Sequence, residues 1–379
     1  MRPELRKSLL LAGLVLGAVV VTAQALGGPR AALGGSCSKQ PGHRYIAASQ
    51  ADLQALLRCD LDGATIALKP GNYGRLNLGD AKGLTLLSDD PAKPASFEAI
   101  EIDGGNRITL SRLHFGGSIE GLAWRLQIMD STGIDVSDLD LTGGPNPGPN
   151  VPGGVYVKSS NHVSLKRLKV ASMSNGIRLI ETRQVVVADN IIHDFGSDGI
   201  QASAASQSVI SGNYISNAHP EPGDHPDGIQ IFTLGNQTAQ SDILVKDNLI
   251  EKGSGGLMQG IFVTDETDKN PFVNLQITNN IVIGSMYHGI TVAGANSGAV
   301  RGNVVVPLDG QRNWIKLVNA NSLELEDNVA QDLMKDNLIL ESSADLGKNR
   351  RAIMPPADAT AASDAWKARH LPAGMRNGN

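Results

Sequence analysis

Six short lines carry the polar side chains of this sequence that are spaced to do chemistry. They are Asn175-Gly176-Ile177-Arg178, Asp198-Gly199-Ile200-Gln201, Asp227-Gly228-Ile229-Gln230, Gln259-Gly260-Ile261-Phe262, His288-Gly289-Ile290-Thr291 and Asn313-Trp314-Ile315-Lys316. Asp198 and Asp227 open consecutive lines, and Asp224-His225-Pro226 runs directly into Asp227. Two carboxylates held side by side repel unless one is protonated, hydrogen-bonded or bridged by a cation. An unperturbed imidazole changes charge near neutral pH, so His225 and His288 are candidate proton carriers. Arg178 and Lys316 close their lines, where a cation can meet an anionic ligand. Such a set suits acid–base chemistry on a negatively charged substrate. The same residue types also serve in plain turns, as an Asp accepting backbone N–H bonds or a solvated surface cation.

Each line is followed by an Asn marker: Asn190, Asn213, Asn248, Asn280, Asn303 and Asn328, spaced 23, 35, 32, 23 and 25 residues apart. Self-similarity at this period, in short apolar runs, predicts a solenoid whose coils stack the lines in register on one sheet. The two long spacings place insertions of roughly ten residues in the coils of Asp227 and Gln259, and such insertions gather on one face. Parallel neighbours lie about 4.8 Å apart, so Asp198 and Asp227 should be adjacent. Gln201 and Gln230 should stack, with Gln259 one coil further. The rings of Tyr156, Phe262 and Tyr287 either receive a ligand or shield the sheet. The Asn column itself reads as a structural amide ladder, with Arg112, Asp138 and Arg167 in its place in the earlier coils.

Aromatic residues are only 4% of the chain while Gly reaches 43 residues, which suits tight turns around a narrow core. A net charge of −5 without a basic block excludes nucleic acid as a partner. Residues 1–25 read as an export signal: Arg2, Arg6 and Lys7, an apolar run, then Ala23-Gln24-Ala25. An uncleaved membrane anchor is the alternative. Residues 26–44 form a linker, 45–346 the solenoid and 347–379 a loosely attached tail. Ser49 to Arg58 predicts a helix capped by Ser49, with Leu53, Leu56 and Leu57 covering the first coil. Residues 143–154, with Pro145, Pro147, Pro149 and Pro152, predict a stiff loop rimming the groove. No helical periodicity stands out after residue 60, and no GxGxxG, phosphate loop, HExxH or CxxC occurs.

The helix followed by Gly63-Ala64-Thr65-Ile66-Ala67-Leu68-Lys69-Pro70-Gly71-Asn72-Tyr73, the Asn column and the x-Gly-Ile lines together resemble the pectate-lyase-like superfamily. That resemblance implies an all-β chain: a single-stranded right-handed parallel β-helix of about eleven coils with a short N-terminal capping helix. The opening coils resemble chondroitinase-B-like and alginate lyases. The order Asp198, Asp227, His288 and Ile315-Lys316 resembles the column of polygalacturonases. It departs from that column in lacking the paired Asp, in the Asn313-Trp314 that replaces its arginine, and in the extra coil of Gln259. The implied substrate is an acidic, uronate-containing polysaccharide, and the implied reaction β-elimination. A cation would neutralise the uronate (Arg178, Lys316, or Ca²⁺ on Asp198, Asp227 and Asp224). His225 or His288 would act as base, and Tyr287 or a histidine as acid. Arg178, Gln201, Gln230, Gln259, Phe262, Tyr287 and Tyr156 would bind sugar. Hydrolysis by Asp198 and Asp227, C5-epimerisation and sugar binding without turnover are the alternatives. A monomer, exported to the periplasm or beyond, is expected.

Cys37 and Cys59 are the only cysteines, and an even pair in an exported chain predicts one disulfide stapling the start of the fold. Thiol titration of the unreduced, unfolded protein should find no free thiol; two titratable thiols would refute the pairing.

Overall fold

The computed structural model describes residues 42–372, apart from residues 60, 145, 149, 234–238, 308 and 321. The segments read as export signal and most of the linker, with Cys37, lie outside the described residues. Among the described residues, no helix is long and apolar enough to cross a membrane.

Short runs of alternating apolar and polar residues cannot bury a face alone, so they stack. Every third strand pairs with its counterpart in the next coil, giving sheets of 12, 11 and 12 strands around one core. The first sheet runs from Arg44–Ala47 to Leu323–Glu326, the second from Ser96–Phe97 to Arg350–Arg351, and the third from Arg75–Asn77 to Leu338–Ile339. Pairing is parallel throughout, except for the closing hairpin of Asp332–Lys335 with Leu338–Ile339. The count is about twelve turns rather than eleven, because Arg44–Ala47 already pairs with Thr65–Leu68 ahead of the first coil the sequence suggests.

Register puts like on like. On the third sheet Leu126, Val155, Ile177, Ile200, Ile229, Ile261, Ile290 and Ile315 form one buried aliphatic stack. The glycines of the lines are required by close approach. A Cβ on Gly260 would stand 2.1 Å from Gly289 O and 2.7 Å from Val282 Cγ1. Between the fifth and sixth lines the register slips, so that Ile290 still meets Ile315 although Trp314 replaces the glycine.

The asparagine ladder is buried and continuous. From Asn213 on, each Oδ1 accepts the backbone N–H and the side-chain amide of the preceding Asn, while Asn190 Oδ1 accepts Leu168 N–H; each Nδ2 also donates to a strand carbonyl below. It reaches one rung further than the sequence suggested, to Asn349. Arg112, Asp138 and Arg167 are not its earlier members. They occupy the left-handed turn position one residue ahead (φ 56°, 57° and 53°), and buried Leu113, Leu139 and Leu168 take the ladder's place.

Gln50–Leu57 forms the expected cap, with Ser49 Oγ accepting from Asp52 N at 3.2 Å and Leu53 buried in the core. The segment read as a loose tail is otherwise built. Pro356–His370 is a helix docked on the second sheet, with Trp366 2% exposed over Ile191, Tyr214, Leu249, Ile281 and Ile283. Trp366 Nε1 donates to Asp247 O at 2.8 Å, and Lys367 pairs with Glu251 at 2.7 Å. Its buried stripe is Ala359, Ser363 and Trp366, which hydrophobic periodicity hardly registers.

Asn248→Ala would leave Ile210 C=O and Asn213 N–H buried without their partner. At roughly 1–3 kcal/mol per stranded group, the loss should reach about 3 kcal/mol or more. Chemical denaturation should show this exceeding the cost of Asn349→Ala, at the ladder's 8% exposed end. Equal small losses would mean the ladder is ornamental.

Candidate functional site

The outward row of the third sheet runs in register from Tyr156 through Arg178, Gln201, Gln230, Phe262 and Thr291 to Lys316. Its polar and aromatic side chains share one face because residues two apart on a strand point the same way. Three groups of residues stand along it.

The central group holds the carboxylate pair. Asp227 N–H donates to Asp198 Oδ1 at 2.9 Å, so the two aspartates are coil neighbours as expected. Gln201 Nε2 donates to Asp198 Oδ2 at 2.6 Å and to Gln230 Oε1 at 2.9 Å, an amide chain fixed from below. Asp198 and Asp227 are 5% and 1% exposed, so they lie in the floor of the row rather than on its surface. Burial raises the Asp198 pKa, opposed by the Asp227 N–H, Gln201, Arg178 and His225. Burial, then the negative Asp198, pushes Asp227 well above the usual carboxylate range. The pair therefore keeps a proton to higher pH than an isolated carboxylate would. Asp227 Oδ1 and Arg178 Nε are both buried without a hydrogen-bond partner.

The second group lies two coils on, roughly 10 Å by strand spacing. His288 stands edge-on to Phe262 (5.1 Å) and Trp314 (5.4 Å), with Nδ1 2.8 Å from Thr291 Oγ1. Burial, then the charges of Lys316 and His225, lowers its pKa to about 4, so the imidazole is neutral at physiological pH. Tyr287, next in the chain, is 46% exposed with φ 49°, a left-handed backbone that a bulky residue rarely takes. Its ring lies 5.6 Å from that of Trp314. Lys316 Nζ donates to Asn337 Oδ1 at 2.6 Å and sits 5.9 Å over the Trp314 ring. His225 is exposed on the loop ahead of Asp227, and its charge acts on both Asp198 and His288, which places it between the two groups.

The third group is aromatic: Trp124 and Tyr156 are stacked at 5.2 Å. The rims are loops. Gly148 of the Pro-rich segment approaches Gly196 and Glu221, so this loop does flank the row. Gln259 falls in register with Asp227 but is 9% exposed and buried. Asp224 instead lines a pocket of about 240 Å³ with Ser174, Asn175, Gly196, Ser197 and Glu221. Sequence reading missed Trp124, Trp314 and Thr291 as site residues. Only register with Gly153, with His288 and with Phe262 and Lys316 reveals them.

Calcium takes six to eight oxygen ligands. Both oxygens of Asp198 already accept hydrogen bonds, and among the described residues no three His, Cys, Asp or Glu side chains converge. The donor set does not fit such an ion.

The family model for the right-handed β-helix region matches residues 129–305. The fold of this chain is a right-handed parallel β-helix. Solved structures share the solenoid. The Streptococcus pneumoniae surface adhesin PfbA is 11% identical at a TM-score of 0.52, over 76% of this chain and 87% of that one. The Dettilon tailspike protein is 15% identical at 0.53, over 75% of this chain and 58% of that one. A mannuronic-acid-specific family 6 polysaccharide lyase from human gut microbiota is 14% identical at 0.42, over 87% and 95%. At these identities the likeness to the adhesin and the tailspike is one of fold alone. No curated protein sequence matches the β-helix.

Asp227→Asn keeps the shape of the pair and removes its second charge. A carboxyl whose folded pKa is raised stabilises the native state below its ordinary value, and that contribution is lost as pH rises through the raised value. The variant should therefore match the parent near pH 4 and melt higher towards pH 8, by on the order of 2–5 °C. A lower Tm at every pH would make Asp227 a hydrogen-bonded turn residue.

Proposed function

We propose that the third sheet is the working face of a carbohydrate-active β-helix enzyme that cleaves an acidic, uronate-containing polysaccharide by β-elimination. One observation carries the reading: a neutral, half-buried imidazole between two aromatic rings, next to an exposed phenol and within reach of an ammonium. β-Elimination needs a cation on the uronate carboxylate, a base for the C5 proton and an acid for the leaving oxygen. Lys316 is the cation, His288 the base and Tyr287 the acid. The base takes the C5 proton, the electrons of that bond form the C4–C5 double bond, and the C4–O4 bond breaks. The departing oxygen takes the phenol proton. Burial is the main cause of the lowered His288 pKa, and a bound carboxylate beside Lys316 would offset the smaller contribution of the positive field as substrate arrives.

Arg178, Gln201, Gln230, Phe262 and Tyr156 would hold the sugars along the row, and exposed His225 would be a second proton carrier. Asp198 and Asp227 would act as positioning residues, because Asp198 orients the Gln201 amide. Hydrolysis by these two carboxylates draws support from their raised pKa values. Their burial argues against it, since an acid or base must reach the substrate. The reading of residues 1–25 as an export signal would accord with a polymer met outside the cytoplasm.

Purified protein incubated with alginate, polygalacturonate and hyaluronan should generate unsaturated uronate ends, read by ultraviolet absorbance. His288→Gln should lower kcat by about 10²–10⁴-fold. On the acid side the parent's kcat/KM should hold until pH drops towards about 4. Reducing ends without unsaturation would make the protein a hydrolase, altered C5 stereochemistry alone an epimerase, and binding without turnover a sugar-binding scaffold.

A further inference from the structure

The stacked pair of Trp124 and Tyr156 lies far along the row from His288. Tyr156 is five register steps from Thr291, the hydrogen-bond partner of His288. At about 4.8 Å per step that is roughly 24 Å. The indole packs closely against the neighbouring coil: a Cβ on Gly153 would stand 2.1 Å from the Trp124 ring. Both rings are half-buried, so each keeps a surface open to solvent. Arg178 follows Tyr156 in register; the residue is half-buried, its Nε is buried without a hydrogen-bond partner, and its charge also acts on Asp198 in the next coil.

An aromatic face with an adjacent guanidinium matches one ligand chemistry, a sugar ring bearing a carboxylate. The apolar face of the ring packs on the aromatic surface, and the carboxylate meets the cation. We propose that Trp124, Tyr156 and Arg178 form a distal uronate-binding subsite, about 24 Å from His288, which grips a long polysaccharide and lies beyond the reach of a short oligosaccharide. The subsite rests on the reading of the third sheet as a glycan groove. It adds that affinity depends on chain length, and that Trp124 and Arg178 set that dependence without touching the reacting bond. Gln201, Gln230 and Phe262, between the subsite and His288, carry no net charge. The strongest ionic contacts therefore fall at the two ends of the bound segment, at Arg178 and Lys316.

The test uses mannuronate and galacturonate oligosaccharides from trimer to decamer, with binding followed by calorimetry and cleavage followed in parallel. In the parent protein the decamer should bind at least tenfold more tightly than the trimer. In Trp124→Ala and Arg178→Gln that ratio should fall towards one, and Trp124→Phe, which keeps a ring, should restore most of it. Gly153→Ala offers a second route, because its methyl group would lift the indole without removing it, and it should also flatten the ratio. A decamer advantage that survives in all three disrupting variants overturns the subsite while leaving the proposed elimination intact. Loss of the advantage without cleavage by any form supports the subsite and removes the elimination. Absence of any length dependence in the parent overturns the subsite outright.

Discussion

Each coil must hand its backbone donors and acceptors to the coils above and below, and that requirement governs everything else in the solenoid. The buried asparagine ladder is where it is sharpest. At that bend a backbone N–H and a strand carbonyl point into an apolar interior, and one amide per coil satisfies both. Because each amide also fixes the next, the coils cannot rotate against one another. The outward rows inherit this order. A row of side chains at a fixed spacing of about 4.8 Å is a ruler laid along the protein, and the proposed function sets a polymer with its own repeat against it.

Depth separates the polar groups of the row into two kinds. Asp198 and Asp227 sit below the surface, where desolvation favours their protonated form and their oxygens serve neighbouring amides. His288, Tyr287 and Lys316 sit where a ligand can touch them, and aromatic rings lower the local dielectric around the imidazole. The carboxylates below organise their neighbours, while the groups above keep surface open to solvent. The slipped register beside His288 belongs to the same design, since it lets Trp314 stand edge-on to the imidazole where a glycine would otherwise continue the column.

The solenoid was legible because its demands repeat. Gly at each close approach, Ile in each stack and Asn at each bend are imposed by geometry coil after coil. Asp198, Asp227, Arg178 and Gln230 could be placed on one face from spacing alone. Depth was not legible, because an aspartate in a turn and one in a groove floor have the same neighbours in sequence. Arg112, Asp138 and Arg167 were read one residue out of step, since Leu113, Leu139 and Leu168 fill the same bend with apolar bulk and leave no polar marker. Trp124 was hidden because its significance lies in Gly153, 29 residues later, over which its ring is laid. The terminal helix was hidden because small side chains, Ala359 and Ser363, form most of its contact face.

That helix changes how the chain can be assembled. A solenoid grows by contacts between neighbouring coils, so its N-terminal part can fold while the remainder is still being made. Trp366, however, bonds to Asp247 across 119 residues. Until that segment arrives, Ile191, Tyr214, Leu249, Ile281 and Ile283 lie uncovered on the second sheet, an adhesive patch in the middle of an otherwise finished surface. A helix distant in sequence from the patch is what makes that surface safe from aggregation, so a chain truncated ahead of Pro356 would fold its coils and yet be sticky.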